Sequence, residues 1–408
     1  MTKLWPFSTP RFFKNASLKS SRVASLHTHT HGGRPLWTPR RYDKLAEEGY
    51  TKNVIVYRCV NLIARGLSSV PWLLYETQDD GNEHEVYGHP LLTLLNNPSP
   101  SEAGSAFLES VIGYLLLAGN AYIEAVHDDA GQVVELYALR PDRMSLITDK
   151  QGAVNGYEYR AGGMARRMDV PNPCPSPILH LKYFHPLNDF YGFSPLEAAA
   201  SSIDQHNEVA GHNLGILQNG GRPSGALMLK EKNLTHEQRE NLKADLEQFY
   251  QGGRNAGRIL MLEGDFEWQE MGLSPKDLDF IEGKNISARE IAQAFGVPPM
   301  LVGISGDATF ANYKEARLHL WEDTILPLLE FLVAELNLWL TPFFNSNLRI
   351  GYDVDGIPAL AIKREAHWNK IAGSDFLTVN EKRQAVGYTP IQGGDYLNTP
   401  RPIGKEAS

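Results

Sequence analysis

"SPLEAAASSIDQHNEVAGHNLGILQNGG", residues 194–221, decides how the rest of the chain is read. Ser194 stands as N-cap, Pro195 takes the first helical position, and Glu197 completes a capping box. Gly220 and Gly221 supply the stop. Between these signals Leu196, Ala200, Ile203, Asn207, Ala210, Leu214 and Leu217 recur at alternating steps of four and three. That is a heptad seam with one polar member, Asn207. The opposite face is Ser, Asp, Gln, His, Asn and Glu. At ~1.5 Å per residue the predicted helix is roughly 35–40 Å long.

A second helix opens in the same way. "SPKDLDFIEGKNISAREIAQAFG", residues 274–296, starts with Ser274, Pro275 and Asp277 and carries Leu278, Ile281, Ala288, Ile291, Ala292 and Phe295 as an apolar stripe. Between the two helices the pattern predicts a small β-α-β-β insert. It begins with a strand from Ala226 to Lys230 and a helix opened by a Thr235-x-x-Gln238 box and stopped at Gly252–Gly253. A hairpin turning at Glu263-Gly264-Asp265 closes it. Two long helices bracketing a compact module read as a stalk with a knob at its end.

The flanks read differently. Upstream, Val56, Val60, Ile63 and Leu67 lie at helical spacing before a stop at Pro71, and "WLLYE" reads as a strand. "SAFLESVIGYLLLAGNAYIEAV" reads as a helix closed by Gly119, then a strand of alternating pattern. Asp128, Asp129 and Gly131 mark a hairpin whose return strand is "VVELYALR". Residues 45–190 are thus expected to form a mixed α+β unit. Downstream, "GVPPMLVGISGDATFANYKEA", residues 296–316, breaks the helix with two prolines and three glycines. A third long helix follows with Leu318, Trp321, Ile325, Leu328, Leu332, Leu336 and Trp339, and Pro327 inside it predicts a kink. A strand-like "LRIGYDVD" and a helix from about Leu360 close the chain.

Composition narrows the function classes. The chain has 408 residues, long for one core and usual for two or three domains, with 42% hydrophobic and 21% charged residues, as in folded soluble domains. Cys59 and Cys174 are the two cysteines, which argues against a disulfide framework. The apolar run around Val111 to Ala118 is far short of a membrane span, and no signal peptide is legible. The net charge of −9 is unevenly spread: residues 1–44 hold nine Lys/Arg against Asp43, so a basic arm precedes an acidic body.

No catalytic constellation emerges. "HTHTH", His27 to His31, would put three imidazoles on one face of a strand, but it sits in the basic arm without a carboxylate, so no metal site is expected. "GISGD" lacks the Gly-Lys-Ser/Thr of a phosphate loop, and Asp307 would repel phosphate. The stalk is acidic: Glu197, Asp204, Glu208, Asp277, Asp279, Glu282 and Glu290 stand against Lys276, Lys284 and Arg289. That is the wrong sign for a tight duplex binder.

Several segments together resemble the portal proteins of tailed double-stranded DNA phages and gene transfer agents. The carrying stretches are "VYRCVNLIARGLSSVPWLLYE", "HPLLTLLNNPSP", "LLLAGNAYIEAV", "LYALRPDRM", "ILHLKYFHPLNDFYGFSPLEAAA", "RPSGALML", "LSPKDLDFIEGKN", "AREIAQAFGVPPMLVGISGDATFANYKEA" and "EKRQAVGYTP". They occur in consistent order over about residues 45–400.

The resemblance implies an α+β portal fold assembled as a ring, usually of twelve copies, at a capsid vertex. Residues 1–44 would be a flexible arm, 45–190 the wing, 191–225 and 272–298 the stem helices, and 226–271 the clip. Residues 299–313 would be the tunnel loop, 314–345 a kinked wing helix, and 346–408 the crown. Double-stranded DNA would pass through the axis. The terminase large subunit and later a head–tail adaptor would dock outside, with the major capsid protein around the ring. No cofactor, metal, membrane or enzymatic activity is implied, since the ATP-driven motor is a separate chain. The DNA-facing residues would be Gly303, Ser305, Gly306, Asp307, Ala308, Thr309, Phe310, Ala311 and Asn312. Arg254 and Arg258 of the clip would meet partners. Two other readings stand beside it: a capsid ring protein without DNA contact, and a metal-dependent cytosolic enzyme using the His cluster.

Overall fold

The computed structural model describes residues 37–78, 83–170, 175–218, 225–229, 235–249, 266–270, 280–304, 310–344 and 347–397. Met1–Trp37 and Thr38–Ser408 are separate units, and of the first only Trp37 is described. The arm expected over residues 1–44 therefore ends earlier. Helix α1, Tyr42–Ala46, belongs to the second unit and buries Leu45. Six Lys/Arg and no acid remain in residues 1–37.

A π-helical turn, Glu47–Thr51, follows α1, and Asn53 then caps α2, Val54–Ser68. Val56, Val60, Ile63 and Leu67 are all buried, as their spacing predicts. Strands β1, Trp72–Thr77, and β2, Glu83–Glu85, lead to α3, Pro90–Asn96, and α4, Gly104–Ala118. Gly119 ends α4 at φ +70°, where a Cβ would lie 2.7 Å from the Gly192 carbonyl, so only glycine fits this crossing. Strand β3, Asn120–His127, turns into β4, Val133–Leu139, through Asp128, whose Oδ1 accepts from the Ala130 and Gln132 amides.

Strands β5, Met144–Thr148, β6, Val154–Ala161, and β7, Met164–Asp169, form one antiparallel sheet, while β8, Ile178–Lys182, pairs with β3. The alternation expected of β3 is absent: its first six residues are all buried. The reason is that this central strand of the order β4-β3-β8 is covered on both faces. Ala121 and Ile123 enter the main core with α2 and α4, while Tyr122 on the other face joins Met144, Tyr157 and Met168 of the neighbouring sheet.

The predicted 28-residue helix is two helices, α5, Pro195–Ala198, and α6, Ala200–Gln218, broken at Ala199. At ~1.5 Å per residue α6 spans about 28 Å. Strand β9, Gly225–Leu229, helix α7, His236–Phe249, and strand β10, Phe266–Glu270, build the insert, with β9 and β10 antiparallel. The fourth element expected there lies outside the described residues, as does the turn at Glu263–Asp265. Helix α8, Phe280–Ala294, packs along α6.

A 3-10 turn, Pro299–Val302, precedes α9, Phe310–His319, a π-helical turn, Leu320–Ile325, and α10, Leu326–Leu340. The interruption expected from Pro327 takes the form of this π turn. Pro327 is the second residue of α10, so its missing N–H falls where the hydrogen-bond pattern changes. The run Asn312–Phe343 is long and apolar enough to cross a membrane by length and composition, unlike the Val111–Ala118 stretch. Here Leu320, Trp321, Ile325, Leu329, Leu332, Leu336 and Leu340 lie in the main core.

Strand β11, Leu348–Tyr352, pairs antiparallel with β1, Leu74 opposite Ile350. A segment boundary at 346 therefore cuts through a sheet shared with the N-terminal half. Helices α11, Ala361–Ala372, and α12, Val379–Ala385, complete the described chain.

Candidate functional site

The base of the stalk is fixed by polar contacts. Ser194 Oγ accepts from the Glu197 amide at 2.9 Å, the cap half of the predicted box. Leu196, Ala200 and Ile203 of the seam are buried, and Leu196 packs against Gly49, where a Cβ would come within 2.5 Å of its Cδ1. Gly49 lies in the π turn beside α2, so the seam begins as part of the main core.

Asn207, the polar member, is satisfied by that same junction. Its Nδ2 donates to the Glu48 carbonyl at 2.8 Å, and its Oδ1 accepts from Asn53 Nδ2 at 3.0 Å. Asn53 Oδ1 accepts from the Ile55 and Val56 amides at the start of α2. Those two donors fix the orientation of the Asn53 amide, so its Nδ2 also faces His206 Nδ1, at 3.2 Å. His206 Nδ1 must accept, which sets the neutral tautomer protonated at Nε2. Burial, aided by the Lys284 charge, lowers the His206 pKa and keeps the ring neutral. One amide thus ties the cap of α2 to two residues of α6.

The acidic face of the stalk is partly engaged. Asp204 accepts from the Thr38 amide at 2.9 Å and from the Thr38 hydroxyl, and Arg40 Nη1 donates to the Glu197 carbonyl at 3.0 Å. Glu290 on α8 accepts from Ser202 on α6 at 2.7 Å. Glu197, Glu208 and Glu282 carry the rest of the described negative surface. Farther along, the seam opens: Asn207 and Ala210 are half-buried, while Leu214 and Leu217 are 55% and 69% exposed. The described residues cover the first half of the heptad stripe and leave Leu214 and Leu217 largely exposed.

Beyond α8, Phe295 and Val297 are buried and Leu301 anchors the 3-10 turn. Thr324 Oγ1 of the π turn donates to the Gly296 carbonyl at 2.6 Å, so the start of the glycine-rich stretch is tied to that turn. Gly303, at φ +85°, is exposed, and Ile304 packs on the core. Ser305, Gly306, Asp307, Ala308 and Thr309 lie outside the described residues. Phe310, Ala311 and Asn312, expected in the loop, are the first three residues of α9. The loop expected to run to residue 313 therefore ends before 310.

In the insert, the Thr235 hydroxyl accepts from the Gln238 amide at 3.3 Å and the Gln238 side chain accepts from the Thr235 amide at 3.1 Å, the full predicted box. Arg254 and Arg258 lie outside the described residues, as do His27, His29, His31 and Cys174. Among the described residues no group of three His, Cys, Asp or Glu gathers to hold a metal. Burial pushes the Cys59 thiol up to about 12, which leaves it unreactive at neutral pH. Asn53, His206 and Thr38 were not singled out by sequence. The Asn immediately before an apolar periodic run is an N-cap signal that could have found the first of them.

The family model described as "Phage portal protein" matches residues 54–387. An uncharacterized protein of Rickettsia bellii is 45% identical over 354 residues, 86% of this chain and 90% of that protein. The portal protein of Enterobacteria phage HK97 is 27% identical, over 83% of this chain and 80% of that one. Among solved structures, a chain in the neck of a native gene transfer agent particle, computed with C12 symmetry, is 41% identical, covers 88% of this chain and 96% of its own, and superposes with a TM-score of 0.67. With the family model spanning most of its length, the chain belongs to the phage portal protein family.

Proposed function

We propose that this chain is the subunit of a portal ring at a capsid vertex of a phage or gene transfer agent, through which double-stranded DNA is packaged and ejected. The observation that carries the reading is the half-covered seam. Leu196, Ala200 and Ile203 are buried at its base, whereas Leu214 and Leu217 are bare on the same stripe. A stripe of this kind fits a helix whose far half packs on the next copy in a closed ring. The C12 symmetry of the similar neck structure supports twelve copies.

Helices α5, α6 and α8 serve as stem and the insert over residues 226–271 as clip. The α+β unit, including β11, serves as wing, and the helices after it as crown. A duplex carries one charge per ~1.7 Å, so about 28 Å of stem faces roughly 16 phosphate charges. A basic wall would hold that length and hinder sliding; the acidic stem keeps the duplex mobile. Residues 303–309 supply a tunnel loop without Lys or Arg. The terminase large subunit and the head–tail adaptor dock on the clip through Arg254 and Arg258, and the major capsid protein surrounds the ring. The role is structural, with ATP hydrolysis left to the motor.

The test replaces residues 305–309 by an equal length of Gly and Ser in a particle-forming system. Rings should assemble normally while DNA-filled particles fall sharply. Normal packaging through normal rings would remove the loop from the account.

A further inference from the structure

Helix α11 is exposed along most of its length. Residues 365–370 are exposed in succession, and at about 100° per residue six in a row pass all the way round the helix. Among the described side chains here, Leu360 just before the helix and Ile371 near its end are buried. A 12-residue helix is marginal in water by itself, and one with this much of its surface exposed gains from cover. Its own chain holds it at both ends: Lys363 Nζ meets Glu322 at 2.6 Å and Arg364 Nη1 meets Asp355 Oδ1 at 3.4 Å near the start, and Lys382 Nζ donates to the Ala372 carbonyl at 3.0 Å at the end; the Trp368 ring lies 5.9 Å from the Arg364 guanidinium and 6.4 Å from the Tyr388 ring.

The same region concentrates bare apolar surface. Of the 23 large hydrophobic side chains exposed among the described residues, seven fall between 368 and 397, including Trp368, Phe376, Tyr388 and Tyr396. Clustering of this density marks an interaction surface. Charge indicates what covers it. Residues 361–408 hold seven Lys/Arg against five acids, whereas residues 38–360 hold 26 against 43. A weakly positive end therefore belongs to a chain whose body is strongly negative.

We propose that α11 seats on the acidic body of an adjacent copy of this chain, with Trp368 buried in the contact and Lys370 meeting carboxylates of residues 38–360. The inference rests on the ring reading and specifies one of its contacts. Two observations favour a second copy over nucleic acid as the occupant. Lys363 and Arg364 are already engaged by Glu322 and Asp355, and the exposed aromatics require apolar cover that a duplex backbone does not give.

Rings assembled from an equal mixture of 14N- and 15N-labelled full-length chain, treated with a zero-length carbodiimide reagent, test this directly. Peptides containing Lys370 should be joined to Asp or Glu peptides of residues 38–360 with mixed isotope labels. Rings in which Lys370 crosslinks only within one label, or not at all, overturn the proposal while leaving the ring intact. A preparation that forms no ring overturns the portal reading itself. Independently, Lys370→Glu should raise the concentration needed for half-assembly at least tenfold and leave the monomer's melting unchanged, since that side chain is exposed. An unchanged assembly curve in this variant would contradict the contact.

Discussion

Replacing Asn53 by Ala removes three functions of one side chain. The cap to the Ile55 and Val56 amides is worth about 1 kcal/mol. His206 Nδ1 and Asn207 Oδ1 each lose their donor at a largely buried junction, at about 1–3 kcal/mol apiece. Together these come to about 3–7 kcal/mol, and the lower part of that range, about 4 kcal/mol, suits a junction that is only partly buried at Asn207. For a unit of about 370 residues, unfolding entropy near 2.1 cal/mol/K per residue converts this to a melting shift of about 5 °C. Asn53→Asp separates the parts, because a carboxylate still accepts from both amides and donates nothing. Facing His206 Nδ1, it also raises the imidazole pKa above the unfolded value near 6.5. The stabilisation gained from that pair is fully present below about pH 6.5 and disappears as pH rises through the raised value. Scanning calorimetry at pH 6 and pH 8.5 should show Asn53→Asp close to wild type at the lower pH and several degrees below it at the higher one. Asn53→Ala should be depressed at both. If Asn53→Ala melts within 1 °C of wild type, the amide does not tie stem to wing and the reasoning fails.

Three further outcomes follow from named contacts. Burial, with the Lys182 charge second, lowers His180 to about 4, and its Nε2 lies 3.0 Å from Asn120 Oδ1. The unfolded chain then binds a proton that the fold does not, so stability is lost as pH falls from about 6.5 to about 4, by up to about 3 kcal/mol; His180→Gln should flatten chemical-denaturation midpoints across that window. Leu214→Asp with Leu217→Asp should leave circular dichroism and monomer melting intact but abolish rings in size-exclusion light scattering; rings that persist would detach the seam from assembly. Gly119→Ala forces a Cβ against Gly192 at a positive φ and should cost several kcal/mol, read as loss of soluble protein; normal yield and melting would refute the crossing as tightly packed.

Periodicity made the helical framework legible because burial follows it directly. Val56, Val60, Ile63 and Leu67 needed no tertiary information to be placed inside. Glycine was equally readable at Gly119, where the backbone itself demands it. What remained hidden depends on distant neighbours. The break at Ala199 falls within three consecutive alanines, residues that neither cap nor stop a helix. Both faces of β3 are buried only because a second sheet covers Tyr122. Strand β11 reads the same whether alone or paired with β1, nearly 280 residues earlier. The seam was visible as a heptad pattern, but not that its two halves differ in exposure. That difference comes from Gly49 approaching Leu196 at one end, while Leu214 and Leu217 stand bare at the other.

Native mass spectrometry of the purified full-length protein, followed by microscopy of the same sample, tests the central claim most directly. The account predicts a closed ring with an axial opening wide enough for a DNA duplex and a mass of twelve times 45.5 kDa, in line with the C12 symmetry of the similar neck structure. Monomer alone, at micromolar concentration and across a range of salt, would contradict it.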